Sequence, residues 1–144
     1  MSRVSSELRR LVRLRAQNLC EYCRTLLDFT GHDFTIDHII PEALGGASDL
    51  ANLCFCCFWC NNFKQARIRA TDPRTGRIVP LFNPRADQWE AHFRWSVTFT
   101  RMIGRTPSGR ATIEALRLNR QSLVGARRIW VRHGLHPPEI QGSR

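Results

Sequence analysis

Asp37 and His38 stand side by side where a short apolar run, Phe34-Thr35-Ile36, comes to its end. Strand-like alternation sends neighbouring side chains to opposite faces, so one of the pair can hold a metal while the other faces a substrate. An imidazole can take a proton from water near neutral pH, and carboxylate and amide oxygens suit hard cations such as Mg²⁺ or Mn²⁺. Asn52, Asn61 and Lys64 follow, the last two separated by three positions and therefore on one face if they lie on a helix. Cysteines flank the stretch: Cys20-x-x-Cys23 before it, and Cys54, Cys56, Cys57 and Cys60 at its end. A two-residue gap lets two sulfurs reach one tetrahedral zinc from a tight turn. Spacing alone leaves two partners for the first knuckle, Cys54-x-x-Cys57 and Cys57-x-x-Cys60.

The elements that must position these groups are short. A first strand ends at Asp37-His38, Gly45-Gly46 marks a turn in a polar loop, Leu53-Cys54-Phe55 reads as a second strand, and a helix starts at the Cys57–Cys60 turn. Strand, loop, strand, helix is a small scaffold for one cation.

The stretch resembles the HNH nuclease family in its His-Asn-Asn variant. The residues that carry the resemblance are Asp37-His38-Ile39-Ile40-Pro41, Gly45-Gly46, Asp49-Leu50-Ala51-Asn52-Leu53 and Cys57-x-x-Cys60-Asn61-x-x-Lys64. Asn52 follows His38 by 14 positions and Asn61 follows it by 23, the order and spacing of the family's three signature residues. The resemblance implies an α+β fold with a ββα-metal core, stapled by a four-cysteine zinc site. In the family register Asn61 and Lys64 follow the second knuckle, which selects Cys57 and Cys60 to join Cys20 and Cys23 as structural zinc ligands. Cys54 and Cys56 are then small buried residues. His38 is expected as general base, Asp37 and Asn61 as ligands of a catalytic Mg²⁺ or Mn²⁺, and Asn52 as the residue that holds the His38 loop in shape. Lys64 is expected on a phosphate. The implied activity is metal-dependent hydrolysis of phosphodiester bonds in DNA by nicking or double-strand cleavage, and the alternative is a zinc-stapled nucleic-acid-binding module without hydrolysis.

Composition agrees with a polyanionic partner. The chain of 144 residues carries a formal charge of +10, and Lys64 is the only lysine among its 22 basic residues. Arginine forks suit phosphate, and Arg67, Arg110 and Arg120 are candidate nucleic-acid contacts. Duplex DNA is the expected partner, although phosphate contacts by themselves do not separate DNA from RNA. No apolar run approaches the roughly 18 residues of a membrane span. The opening residues MSRVSSELRR lack the apolar core of a signal peptide, so a reducing cytoplasm and thiolate ligation are expected rather than disulfides.

The length predicts a single domain over 1–144, with the HNH core at about 18–68 and an extension at about 69–144. Ser5 or Ser6 can cap an N-terminal helix to about Ala16, with Leu8, Leu11 and Val12 on its apolar stripe and arginines elsewhere. In the extension, the turn at 70–77 predicts a hairpin with 78–82, and Asp87 can cap a short helix over 88–93. Trp95, Val97 and Phe99 alternate as a strand, and Ser108 and Asn119 can each cap a helix. His133-Gly134-Leu135-His136 reads as a solvated turn rather than a second metal site. The extension resembles that of small stand-alone bacterial HNH proteins.

Overall fold

A computed structural model describes residues 4–142. The chain divides into two compact units, one running to Ile68 and taking in Asn83–Asp87, the other made of Arg69–Phe82 and the chain from Gln88 onward.

The first unit opens with helix α1, Ser6–Arg15, whose N-cap Ser5 accepts a hydrogen bond from the Leu8 amide. Strands β1, Thr35–His38, and β2, Leu53–Cys56, pair antiparallel with Asp37 opposite Cys54 and His38 opposite Leu53. Alternation along this hairpin divides its two faces. Leu53 and Phe55 join Val12 and Ala16 in an apolar cluster, with Ile36, Phe34 and Leu27 packed against it. Arg15 locks α1 to the start of β2 by donating to the Leu50 and Leu53 carbonyls at 2.7 and 2.6 Å. The other parity, Asp37 and Cys54 among it, faces polar and sulfur neighbours. Helix α2, Phe58–Lys64, follows β2 directly with Cys57 as its N-cap. The segment at 83–87 is held to this unit by an ion pair between Arg85 and Glu21, while Glu21 also accepts from the Phe55 amide. Strand, loop, strand and helix thus appear in the order expected of a ββα core, within an α+β fold.

The second unit begins with the expected hairpin, β3 Arg69–Thr71 against β4 Ile78–Pro80. Helix α3, Trp89–His92, is shorter than expected and has Gln88 at its cap, because the Asp87 carboxylate accepts from the Asn83 amide instead. The alternating 95–99 segment is not a strand through its length. Strand β5, Phe93–Trp95, turns through Phe99 at positive φ into β6, Met102–Gly104, and Val97 is 94% exposed at the turn. Helices α4, Pro107–Leu116, and α5, Gln121–Arg132, follow. Thr106 caps α4 in place of Ser108, and Asn119 is drawn away from α5 by a pair of hydrogen bonds to the Met102 backbone. His136 is buried edge-on against Trp95 at 4.4 Å between ring centres, so the expected solvated turn is a packed one. No helix among the described residues is long and apolar enough to cross a membrane.

Candidate active site and metal centre

The four sulfurs of Cys20, Cys23, Cys57 and Cys60 are buried and lie within 4.8 Å of one another. Sulfurs ~2.3 Å from a tetrahedral zinc are about 3.8 Å apart, a separation that only a shared ion makes comfortable for charged thiolates. Cys23 Sγ and Cys57 Sγ are 3.8 Å apart. Local backbone prepares the site. Arg24 takes positive φ and donates its amide to the Cys20 carbonyl at 2.9 Å, folding the first knuckle, and the Cys60 amide donates to Cys57 Sγ at 3.4 Å. Burial pushes the Cys20 thiol up, and crowding by Cys20 and Cys23 pushes up the Cys60 thiol, while contact with Cys20 and its neighbours holds Cys23 down. A cluster that resists full ionisation in this way is completed by a cation. The donor set therefore fits a structural metal ion.

Cys54 and Cys56 are buried but stand outside this cluster. Burial pushes the Cys54 thiol well up and the Cys56 thiol up to about 12. Both remain neutral packing groups on the Asp37 face of the hairpin.

Asp37 is almost fully buried and its neighbours converge on one oxygen. Tyr22, whose hydroxyl is kept protonated by burial, donates to Oδ2 at 3.1 Å, and Lys64 Nζ lies 3.1 Å from the same atom. Lys64 also donates to the Ile39 carbonyl at 3.4 Å. The expectation that Lys64 reaches a phosphate is thereby corrected: it is 1% exposed, and a buried ammonium takes the nearest carboxylate as its counter-charge. Oδ1 of Asp37 carries none of these contacts. Asp37 and Asn61 line the same cleft, and carboxylate and amide oxygens are of the hard type that Mg²⁺ or Mn²⁺ accepts.

That cleft, about 530 Å³, is lined by Asp37, His38, Glu42, Asn61 and Gln65 among others. The structure thus brings three of the sequence-predicted residues to one opening. His38 Nε2 is 2.8 Å from Ser48 Oγ and 3.2 Å from Glu42 Oε1, and Ser48 donates its hydroxyl to the same Glu42 oxygen at 3.1 Å. A carboxylate only accepts, and Ser48 has directed its proton to Glu42. In the tautomer that donates to Glu42 from Nε2, Nδ1 keeps the lone pair. Sequence reasoning missed Glu42, Ser48 and Tyr22. Glu42 leaves a trace, four positions after His38; Tyr22 inside the first knuckle and Ser48 in the loop leave none.

Asn52 stands behind the cleft. Its Oδ1 accepts from the Ile40 amide, and its Nδ2 donates to the Ile40 and Ala47 carbonyls, each at 2.9 Å. Gly46 lies under the same loop, where a Cβ would come 1.7 Å from the Ile40 carbonyl oxygen. Asn52 and Gly46 together close the loop that carries His38, Glu42 and Ser48.

The other basic candidates are distributed differently. Arg67 donates to the Phe63 and Lys64 carbonyls at 2.6 and 3.3 Å, capping the end of α2. Arg110, expected on nucleic acid, is placed with its Nε and Nη2 each 2.9 Å from the carboxylate of the buried Asp72, which occupies the guanidinium fork. Arg120 donates locally to the Arg117 carbonyl at 3.2 Å.

Residues 20–74 match the family model described as HNH endonuclease. No curated protein and no solved structure gives a match.

Proposed function

We propose, from the match of residues 20–74 to the HNH endonuclease family model, that the protein is a metal-dependent endonuclease that hydrolyses phosphodiester bonds in duplex DNA. The observation that carries this reading is the convergence of Asp37, His38 and Asn61 on one cleft, with the imidazole already held by Glu42 and Ser48. His38 Nδ1 accepts a proton from the attacking water, and Glu42 stabilises the imidazolium that results. Asp37 Oδ1 and the Asn61 side-chain oxygen would hold a Mg²⁺ or Mn²⁺ ion. Such a cation supplies charge stabilisation to the phosphate and to the leaving 3′ oxygen. Lys64 neutralises the other Asp37 oxygen and fixes the carboxylate's orientation. Asn52 acts on the loop rather than on the substrate. Zinc on Cys20, Cys23, Cys57 and Cys60 would join the first knuckle to the start of α2 and tie the hairpin bearing Asp37 and His38 at both ends; a closed four-thiolate shell would leave no position for substrate.

Supercoiled plasmid incubated with the protein and Mg²⁺ or Mn²⁺ should be converted to nicked or linear form, and His38→Ala should slow this by about 10²–10⁴-fold, the usual contribution of a general base. Unchanged cleavage by His38→Ala overturns the assignment of the base. Tight DNA binding with no cleavage under either metal favours the non-hydrolytic binding module.

A further inference from the structure

Beside the cleft lies a second hollow of about 510 Å³, and the two share Ile36 as a lining residue. Its floor is apolar, made by Phe34, Ile36 and Phe55, with the Phe34 and Phe55 rings 5.2 Å apart. Its rim is α1, which contributes Arg9, Arg10 and Arg13 against a single acid, Asp33. Arg10 is already paired with Glu7 at 2.6 Å, and Arg15 further along the helix is taken up by backbone carbonyls. Arg9 and Arg13 are exposed, and their guanidinium groups make no hydrogen bond or ion pair among the described residues. One helical turn separates them, so their guanidinium groups serve the same side of α1. A hollow with an apolar floor and two unspent forked cations at its rim matches the two chemistries of a nucleotide unit, a carbon-rich sugar and base beside a phosphate.

We propose that this hollow is a nucleotide subsite for the DNA strand that enters the cleft, its phosphate held by Arg9 and Arg13 and its sugar and base edge resting on Phe34 and Ile36. The inference rests on the endonuclease reading for the identity of the strand. From Phe34 to His38 the chain advances roughly 13 Å at about 3.3 Å per residue. Measured along a duplex axis, that length corresponds to about four base-pair steps at about 3.4 Å each. The subsite therefore grips the strand a few nucleotides from the scissile phosphate and sets which bond reaches His38.

The test is DNA binding by the full-length protein in buffer without Mg²⁺ or Mn²⁺, read by anisotropy of a labelled duplex. The double variant Arg9→Ala/Arg13→Ala is compared with Arg128→Ala/Arg132→Ala, which removes the same charge at the same spacing from exposed positions of α5. The first pair should weaken binding at least about tenfold and reduce the salt slope by about 2, one for each arginine withdrawn from a phosphate. The control pair should change both much less. Equal effects of the two pairs overturn the proposal, since charge alone then explains the binding. Free dAMP should compete only weakly; dAMP bound as tightly as the duplex, through the same arginines, overturns the strand assignment in favour of a free nucleotide. The endonuclease reading fails separately: a clear difference between the two pairs in a protein that never cuts plasmid leaves the subsite standing and removes the hydrolysis.

Discussion

At the scale of single residues, the site is a set of groups whose charges answer one another. Glu42 and Ser48 fix the imidazole through Nε2, so Glu42→Ala or Ser48→Ala should lower the cleavage rate by about 10-fold while leaving DNA affinity near that of the parent, as expected of groups that act through another residue. Plasmid cleavage at saturating protein beside an equilibrium binding curve checks both halves. Lys64 presents a sharper case. Its ammonium and the Asp37 carboxylate form a buried pair at 3.1 Å, and removing one member of such a pair costs about 3–5 kcal/mol. Lys64→Met should therefore lose that much in urea unfolding. Mn²⁺ should raise the melting temperature of the variant more than that of the parent, because a cation at Asp37 replaces part of the missing counter-charge. Equal shifts in the two proteins would show that no cation binds at Asp37.

At the scale of elements, the loop between β1 and β2 is shaped by close approach. Gly45 closes its short helical turn at φ 90°, and Gly46 passes under the Ile40 carbonyl where no side chain fits. Gly46→Ala should disrupt this loop and with it cleavage, while leaving the metal content expected of the four cysteines, which lie on other turns, unchanged. Metal content and plasmid cleavage, measured on the same preparation, check this. In the second unit the hairpin turn is tied to α4 by Asp72 and Arg110. The guanidinium holds the Asp72 carboxyl well below its usual range. A depressed folded value adds stability above the unfolded value of about 3.9, and that stability is lost as pH falls toward the folded one. The stability gap between parent and Arg110→Gln in urea should be full at pH 7 and shrink below about pH 4.

At the scale of the whole molecule, the proposed function calls for two cations with different duties. Zinc in a closed sulfur shell should survive brief chelation, whereas an ion on Asp37 and Asn61 keeps open positions for water and phosphate. Brief EDTA treatment should stop cleavage, with Mg²⁺ or Mn²⁺ restoring it and one zinc per chain remaining by elemental analysis. Cys20→Ser should lose zinc and soluble folded protein, while Cys54→Ser should keep both. Recovery that requires added zinc would reverse this division of labour.

Local pattern was enough to read the ββα order, an α1 cap at Ser5 or Ser6 and the helix beginning at Cys57, because periodicity, cap chemistry and a cysteine turn act over a few neighbouring residues. The four-cysteine cluster was also legible, once the register of Asn61 and Lys64 selected its second knuckle. Tertiary structure decided what burial and long-range pairing control. Lys64 turns in to Asp37, Arg110 is claimed by Asp72, and Tyr22 reaches Asp37 from the first knuckle. Asp87 and Asn119, both good caps in sequence, are drawn to other backbone amides, that of Asn83 four residues back and that of Met102 across the unit, and β6 becomes a strand only through its pairing with β5. A side chain's type states which partners it can accept; its position in the folded chain determines which one is within about 3 Å, and that distance separates a phosphate contact from a buried ion pair.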